Sequence, residues 1–181
     1  MIQSIEIHML PKSASTNIED MERLTNIINR VYAAAEGSLW SPGTVRTTVD
    51  EMTELTRDGE IAVARATGQI VGCVRIRQVD QEMGEFGLLA VDSDYQGAGI
   101  GRALIRFAEQ KGQKEHLHRM QLELLVPEEG SHPTKVTLEN WYTRLGYLPV
   151  RAETVAASFP KLAPLLATPC QFKVFQKELR E

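Results

Sequence analysis

The chain has 181 residues, 43% of them hydrophobic and 24% charged, with a formal net charge of −4. That length suits a single domain with a substantial core, and the acidic balance excludes a general nucleic-acid binder, whose electrostatic footprint is basic. No apolar run approaches the roughly 18 residues a membrane span needs, and Met1-Ile2-Gln3-Ser4-Ile5 lacks the basic start and apolar stretch of a secretory signal, so the expected location is cytoplasmic.

Ser4 to Met9 alternates apolar and polar residues and predicts a first strand. Thr16-x-x-Glu19 has the form of a capping box ahead of Ile18, Met21, Leu24, Ile27, Ile28 and Val31 at helical spacing, and that helix is expected to stop near Gly37. Glu36 to Gly43, with Trp40 and Pro42, reads as a loop that borders a substrate. Thr44 to Arg57 predicts a second, more polar helix closed by Asp58-Gly59. Ile61–Ala66 and Gln69–Val79 are β-rich and joined by Thr67-Gly68, a hairpin pattern. Cys73, inside Val71-Gly72-Cys73-Val74, reads as a buried thiol behaving as a small hydrophobe, and with Cys170 it makes no disulfide framework.

Asp80 to Met83 turns into a further strand, Gly84–Val91, which delivers a glycine-rich loop. Ile100, Ala103, Leu104, Phe107 and Ala108 form the apolar stripe of the next helix, ending at Gly112. His116 and His118 lie in a polar connection without a third ligand at a useful spacing, so no metal site is expected. Met120, Leu122, Leu124 and Val126 alternate with Gln121 and Glu123 in a strand, followed by the loop Pro127–Pro133 and a helix from Lys135 to Leu145 stopped by Gly146. Leu148–Val155 and Gln171–Glu178 close the chain as strands, with Ser158–Thr168 between them. Helices between strands demand parallel crossovers while hairpins demand antiparallel neighbours. The predicted fold class is therefore α/β (mixed α+β), with a central mixed sheet and helices on both faces, in one domain over residues 1–181.

The stretch Leu89-Ala90-Val91-Asp92-Ser93-Asp94-Tyr95-Gln96-Gly97-Ala98-Gly99-Ile100-Gly101-Arg102 points most directly to chemistry. Glycines let a backbone turn with positive φ and let its N–H groups approach a ligand. The helix that follows adds unpaired N–H donors and the positive end of its dipole, which together cradle a phosphate or pyrophosphate. It is not a Walker loop, because Arg102-Ala103 follows Gly101 where Lys-Ser/Thr is needed. Arg102 also stands where a dinucleotide fingerprint needs glycine or alanine, and the connection from Val91 to Ile100 is too long for the tight first turn of that unit.

Gln96, Gly99 and Gly101 match the Gln/Arg-x-x-Gly-x-Gly/Ala motif, and the loop resembles the pyrophosphate loop of the GCN5-related N-acetyltransferases, the GNAT superfamily. Asn140-Trp141-Tyr142-Thr143-Arg144-Leu145-Gly146-Tyr147 resembles that family's helix bearing a tyrosine before Leu-Gly-Phe/Tyr. The resemblance implies a mostly antiparallel sheet that splays open between Gly84–Val91 and Met120–Val126, with acetyl-CoA as co-substrate in the cleft and no metal. It implies that Gln96, Gly97, Ala98, Gly99, Ile100, Gly101 and Arg102 hold the pyrophosphate, and that the backbone of Leu89, Ala90 and Val91 bonds the pantetheine arm as a mock strand. Arg102 is equally readable as an exposed helix residue. Seven residues before the tyrosine the family often has an asparagine touching the cofactor, and Lys135 occupies that position here.

Acyl transfer from a thioester to an amine needs a neutral amine and a protonated leaving thiolate. An aliphatic amine titrating near 10.4 costs about 4–5 kcal/mol to deprotonate at pH 7, so a base helps. Glu85 is the first candidate base, by resemblance, against the reading of a solvated strand-end carboxylate. Glu123 is the second, because a carboxylate on an otherwise apolar strand needs a partner. Tyr142 is the candidate general acid by resemblance, against a core aromatic spaced with Leu138 and Leu145. The expected function is transfer of an acetyl group to a primary amine of a small molecule or protein by direct attack in a ternary complex, with a small-molecule or peptide amine as the partner. The alternatives are a domain that binds acyl-CoA without turnover and a nucleotide-dependent enzyme. The acceptor and the oligomeric state, a homodimer included, stay open.

Overall fold

A computed structural model describes residues 3–180. Seven strands form one sheet: β1 (Ile5–Met9), β2 (Ile61–Ala66), β3 (Gln69–Gln78), β4 (Met83–Val91), β5 (Arg119–Pro127), β6 (Leu148–Thr154) and β7 (Cys170–Glu178). Their spatial order is β1-β2-β3-β4-β5-β7-β6, and every neighbouring pair is antiparallel except β4 with β5. The helices are α1 (Ile18–Glu36), α2 (Val49–Arg57), α3 (Ile100–Lys114), α4 (Pro133–Arg144) and the single turn α5 (Val155–Ser158). This is the mixed, mostly antiparallel sheet that the pattern of crossovers and hairpins predicts.

Each face of the sheet carries its own core. On one face Met21, Leu24, Ile27 and Ile28 of α1 and Met52 and Leu55 of α2 bury against Ile61, Val63, Ile70, Cys73, Leu88 and Ala90. On the other, Ile100, Leu104, Ile105 and Ala108 of α3 pack on Ala62, Val71, Val74, Phe86, Leu122 and Leu124, with Tyr142 and Tyr147. The period-3.6 stripes of α1 and α3 and the pleat of the strands therefore meet from opposite sides. Cys73 is fully buried, and burial pushes its thiol up to about 12, which makes it inert.

Two expected helix starts are corrected. The N-cap of α1 is Asn17, whose side chain accepts from the Asp20 N–H at 3.2 Å, rather than Thr16. Lys12–Thr16 is a 3-10 turn whose Thr16 hydroxyl donates backward to the Ser13 carbonyl at 2.9 Å, so it has no part in a capping box. The second helix begins at Val49, not at Thr44. Thr48 caps it by accepting from the Glu51 N–H, and Asn29 of α1 takes the N–H groups of Arg46 and Thr47 into a separate loop. A tertiary partner thus overrides a helical pattern that ran five residues too far upstream.

Candidate active site

The parallel pair is where the sheet opens. Met83↔Arg119, Gly84↔Met120 and Glu85↔Gln121 are in register, and beyond them β4 and β5 part while continuing to Val91 and Pro127. A bulge bends β4 away: its register against β3 slips between Cys73 and Arg75, and Leu88 sits at φ +48°. A left-handed leucine costs of order 1–3 kcal/mol, held here by packing on both sides. The Asp92 N–H bonds the Val71 carbonyl at 2.8 Å, so by strand alternation Ala90 faces β3 while Leu89 and Val91 turn their backbone groups into the gap. Two side chains reach this backbone: the Gln96 amide meets the Val91 carbonyl at 3.5 Å, and the Tyr32 phenol lies at the Leu89 backbone. Backbone donors and acceptors left open inside a protein are rare.

The loop that follows is anchored before it opens. Asp92 accepts from the Asp94 N–H and from Arg23 of α1 at 2.6 Å, and Arg23 also donates to the Ile70 carbonyl at 3.0 Å. The Asp94 N–H is the main influence holding the Asp92 carboxyl below its ordinary range, with Arg23 adding to it. Gly97 and Gly99 lie at φ +82° and +80°, where L side chains are strained, and Gly99 forms the N-cap of α3 without any side-chain cap bond. Gly101 has an ordinary φ and serves differently: an added Cβ would stand 3.4 Å from the Trp141 ring. Gln96, Gly97, Ala98, Gly99 and Arg102 are exposed, so the first N–H groups of α3 face open space. Arg102 and Arg106 line an open cavity of about 440 Å³ along α3, with Phe107 and with Ile7 of β1.

Tyr142 and the carboxylates stand on opposite faces of the opened sheet. Tyr142 is 7% exposed and packs with Phe86, Trp141 and Tyr147 at ring centroid distances of 6.2, 5.1 and 6.4 Å. Burial pushes its phenol well above the ordinary value, and no hydrogen bond contributes. Tyr147, by contrast, donates to Glu109 at 2.7 Å, so one tyrosine of this cluster is satisfied and the other is not. Leu122 and Leu124 belong to the Tyr142 core, which turns Gln121 and Glu123 to the other face. There Glu85 is tied on both oxygens, to Arg77 at 2.6 Å and to the Gln121 amide at 2.6 Å, and Gln176 extends the chain to Gln121 at 3.3 Å. Glu123 has no hydrogen bond among the described residues, and its carboxyl is raised first by burial and then by the charge of Glu85, with Arg77 and Arg151 pulling it back.

Sequence reasoning missed Tyr32 altogether, and it placed Glu36 and Trp40 in a substrate-bordering loop without showing what they touch. Tyr32, one turn after Ile28 on α1, lies under the Arg46 guanidinium at 5.2 Å and is pushed up to about 12 by burial. It continues the α1 stripe at i+4, a spacing that marks core but carries no chemical signal. Glu36 is the last residue of α1 rather than part of that loop: the Trp40 indole donates to it at 3.1 Å, and it bonds Lys135. Both partners of that ion pair are 4% exposed, so Lys135 points into the protein toward α1.

Solved structures share this architecture along the whole chain. An Ard1 from Thermoplasma volcanium superposes with a TM-score of 0.68 at 15% identity, covering 98% of this chain and 99% of its own. The ribosomal-protein-S18-alanine N-acetyltransferase of Escherichia coli gives 0.67 at 15% identity, covering 98% and 96%. A GNAT family acetyltransferase from Elizabethkingia anophelis, solved with acetyl-CoA bound, gives 0.62 at 16% identity, covering 97% and 98%. At such identities the likeness speaks for the fold alone, and no curated protein sequence matches the chain. The model of the acetyltransferase (GNAT) family matches residues 21–147, from the first buried turn of α1 to the tyrosine after α4. The chain belongs to the GNAT acetyltransferase family.

Proposed function

We propose that the protein transfers an acetyl group from acetyl-CoA to a primary amine of a small molecule or peptide, by direct attack in a ternary complex. The observation that carries this reading is the gap between β4 and β5, with a phenol whose ring is buried and whose hydroxyl has no partner among the described residues on one face, and a carboxylate raised by burial on the other. In this reading the exposed N–H groups of Gln96 to Arg102 bind the pyrophosphate, and the gap-facing backbone of Leu89 and Val91 bonds the pantetheine arm, with Ala90 holding the strand to β3. The thioester then lies between the faces, its sulfur toward Tyr142 and its carbonyl carbon open to an amine arriving from the side of Glu123.

Of the two carboxylates, Glu123 is the one with a free oxygen to take a proton. Its raised carboxyl narrows the gap to the amine, which improves a general base. Burial raises that carboxyl most, Glu85 adds to it by its charge, and Glu85 keeps its own oxygens occupied by Arg77 and Gln121. Tyr142 gives its proton to the sulfur as the C–S bond breaks; burial disfavours a lasting phenolate, so the proton must be recovered as turnover completes.

Free thiol released from acetyl-CoA in the presence of an amine panel tests turnover, and calorimetry tests binding separately. Gly101→Asp sets a carboxylate beside the proposed pyrophosphate and should abolish acetyl-CoA binding in a folded protein. Unchanged affinity would sink the loop assignment, and tight binding with no thiol release on any amine would leave an acyl-CoA-binding protein instead.

A further inference from the structure

We infer that Glu36 and Lys135 form a clasp over the wide end of the β4–β5 gap, and that Lys135 is thereby a positioning residue for Tyr142. Beyond Glu85 and Gln121 no sheet hydrogen bond joins the two strands. Glu36 ends α1, which lies against β4, and Lys135 opens α4, which follows the far end of β5. Cys170, paired with Pro127 at that far end, lies close to both charges. The clasp is reinforced on the α1 side: Trp40 donates to Glu36, Ser41 N–H bonds the Leu165 carbonyl at 2.8 Å, and Ala167 N–H bonds the Leu39 carbonyl at 2.9 Å.

The pair is poorly placed for stability, which argues for a different use. Two buried charges give up their hydration, and an apolar pair of similar size often serves a fold as well or better. Both charges also oppose the helix dipoles, an anion at the C-terminal end of α1 and a cation in the first turn of α4. What the pair does provide is a directional side-chain tie where β4 and β5 have parted, beside the short backbone bridge of Trp40 with Leu166. Lys135 and Tyr142 are seven residues apart on α4, two turns along one face, so fixing the first at α1 fixes where the second meets the gap.

This inference rests on Tyr142 acting as the acid, and the test separates the two. Glu36→Leu with Lys135→Met removes both charges and should melt near the wild-type temperature. Its kcat on acetyl-CoA and an accepted amine should fall by about tenfold, since small misplacements of a catalytic group are costly, with KM for the amine little changed. In a Tyr142→Phe background the same pair of substitutions should change kcat less than twofold, because nothing is left to position. Wild-type kcat in the apolar pair, or an equal loss in both backgrounds, overturns the clasp. Wild-type kcat in Tyr142→Phe alone overturns the acid reading and the positioning role with it. If the apolar pair does not fold, Glu36→Asp keeps both charges, shortens the reach by one methylene, and is run through the same comparison.

Discussion

At the residue scale, Glu123 combines an exposed position on β5 with a carboxyl raised by partial burial and by Glu85. A carboxyl raised in the fold binds its proton more tightly folded than unfolded, so its charge weakens the fold once it ionises. Glu123→Gln should therefore be more stable than wild type at neutral pH. That advantage shrinks as pH falls through the raised value and vanishes below the unfolded value of about 4.3. The same substitution should lower kcat at neutral pH and recover in part at alkaline pH as free amine accumulates. Melting curves across pH and a rate profile check both halves, and a variant equal to wild type in both would return Glu123 to an ordinary surface residue. Tyr142 adds a second prediction: Tyr142→Phe keeps the ring packing and the melting temperature but loses about 10²-fold in kcat, the lower end for a general acid, because a thiolate leaves readily. These residue types and positions were legible in the sequence. Their partners were not, since Arg77, Gln121 and Gln176 reach Glu85 only through strand pairing.

Among the elements, the glycine loop is held at its base by α1 through Arg23 and Asp92. Asp92 titrates below the ordinary carboxylate value, so its contribution is complete above about pH 4 and is lost only as pH falls through the depressed value. Asp92→Asn weakens both contacts without touching the glycines. It should raise the KM for acetyl-CoA several-fold with kcat little changed, which steady-state kinetics at varied donor concentration would read; an unchanged KM would mean the loop holds its shape unaided. The loop itself was readable because glycine spacing and a helix start are local signals. Where α2 begins was not, because Asn29, seventeen residues upstream of Arg46, decides it. The buried role of Lys135 was hidden for the same reason: the position predicts a cofactor contact, while its partner Glu36 lies 99 residues away in sequence.

Over the whole molecule, the two parts of the chain meet along a short parallel register, the core of α3 and Tyr142 with Phe86, the Trp40–Leu166 bridge and the Glu36–Lys135 contact. The order of helices and strands made the mixed sheet legible, but composition and periodicity say nothing of where two parallel strands separate; that came from the resemblance, and the bulge at Leu88 gives its physical cause. A ligand that completes the gap should bind both parts at once and so stabilise the folded state as a unit. At a hundred times its Kd such a ligand adds about 2.7 kcal/mol, and at about 2–4 °C per kcal/mol for a chain of this size the melting temperature should rise by about 5–10 °C. Stabilisation alone would not locate the ligand, so amide exchange supplies the second measurement. Acetyl-CoA should slow exchange at Leu89 and Val91, whose N–H groups face the gap, and leave Ala90 nearly unchanged because β3 already bonds it. Protection spread evenly over β4, or confined to α3, would place the ligand outside the gap and remove the mock strand from the mechanism.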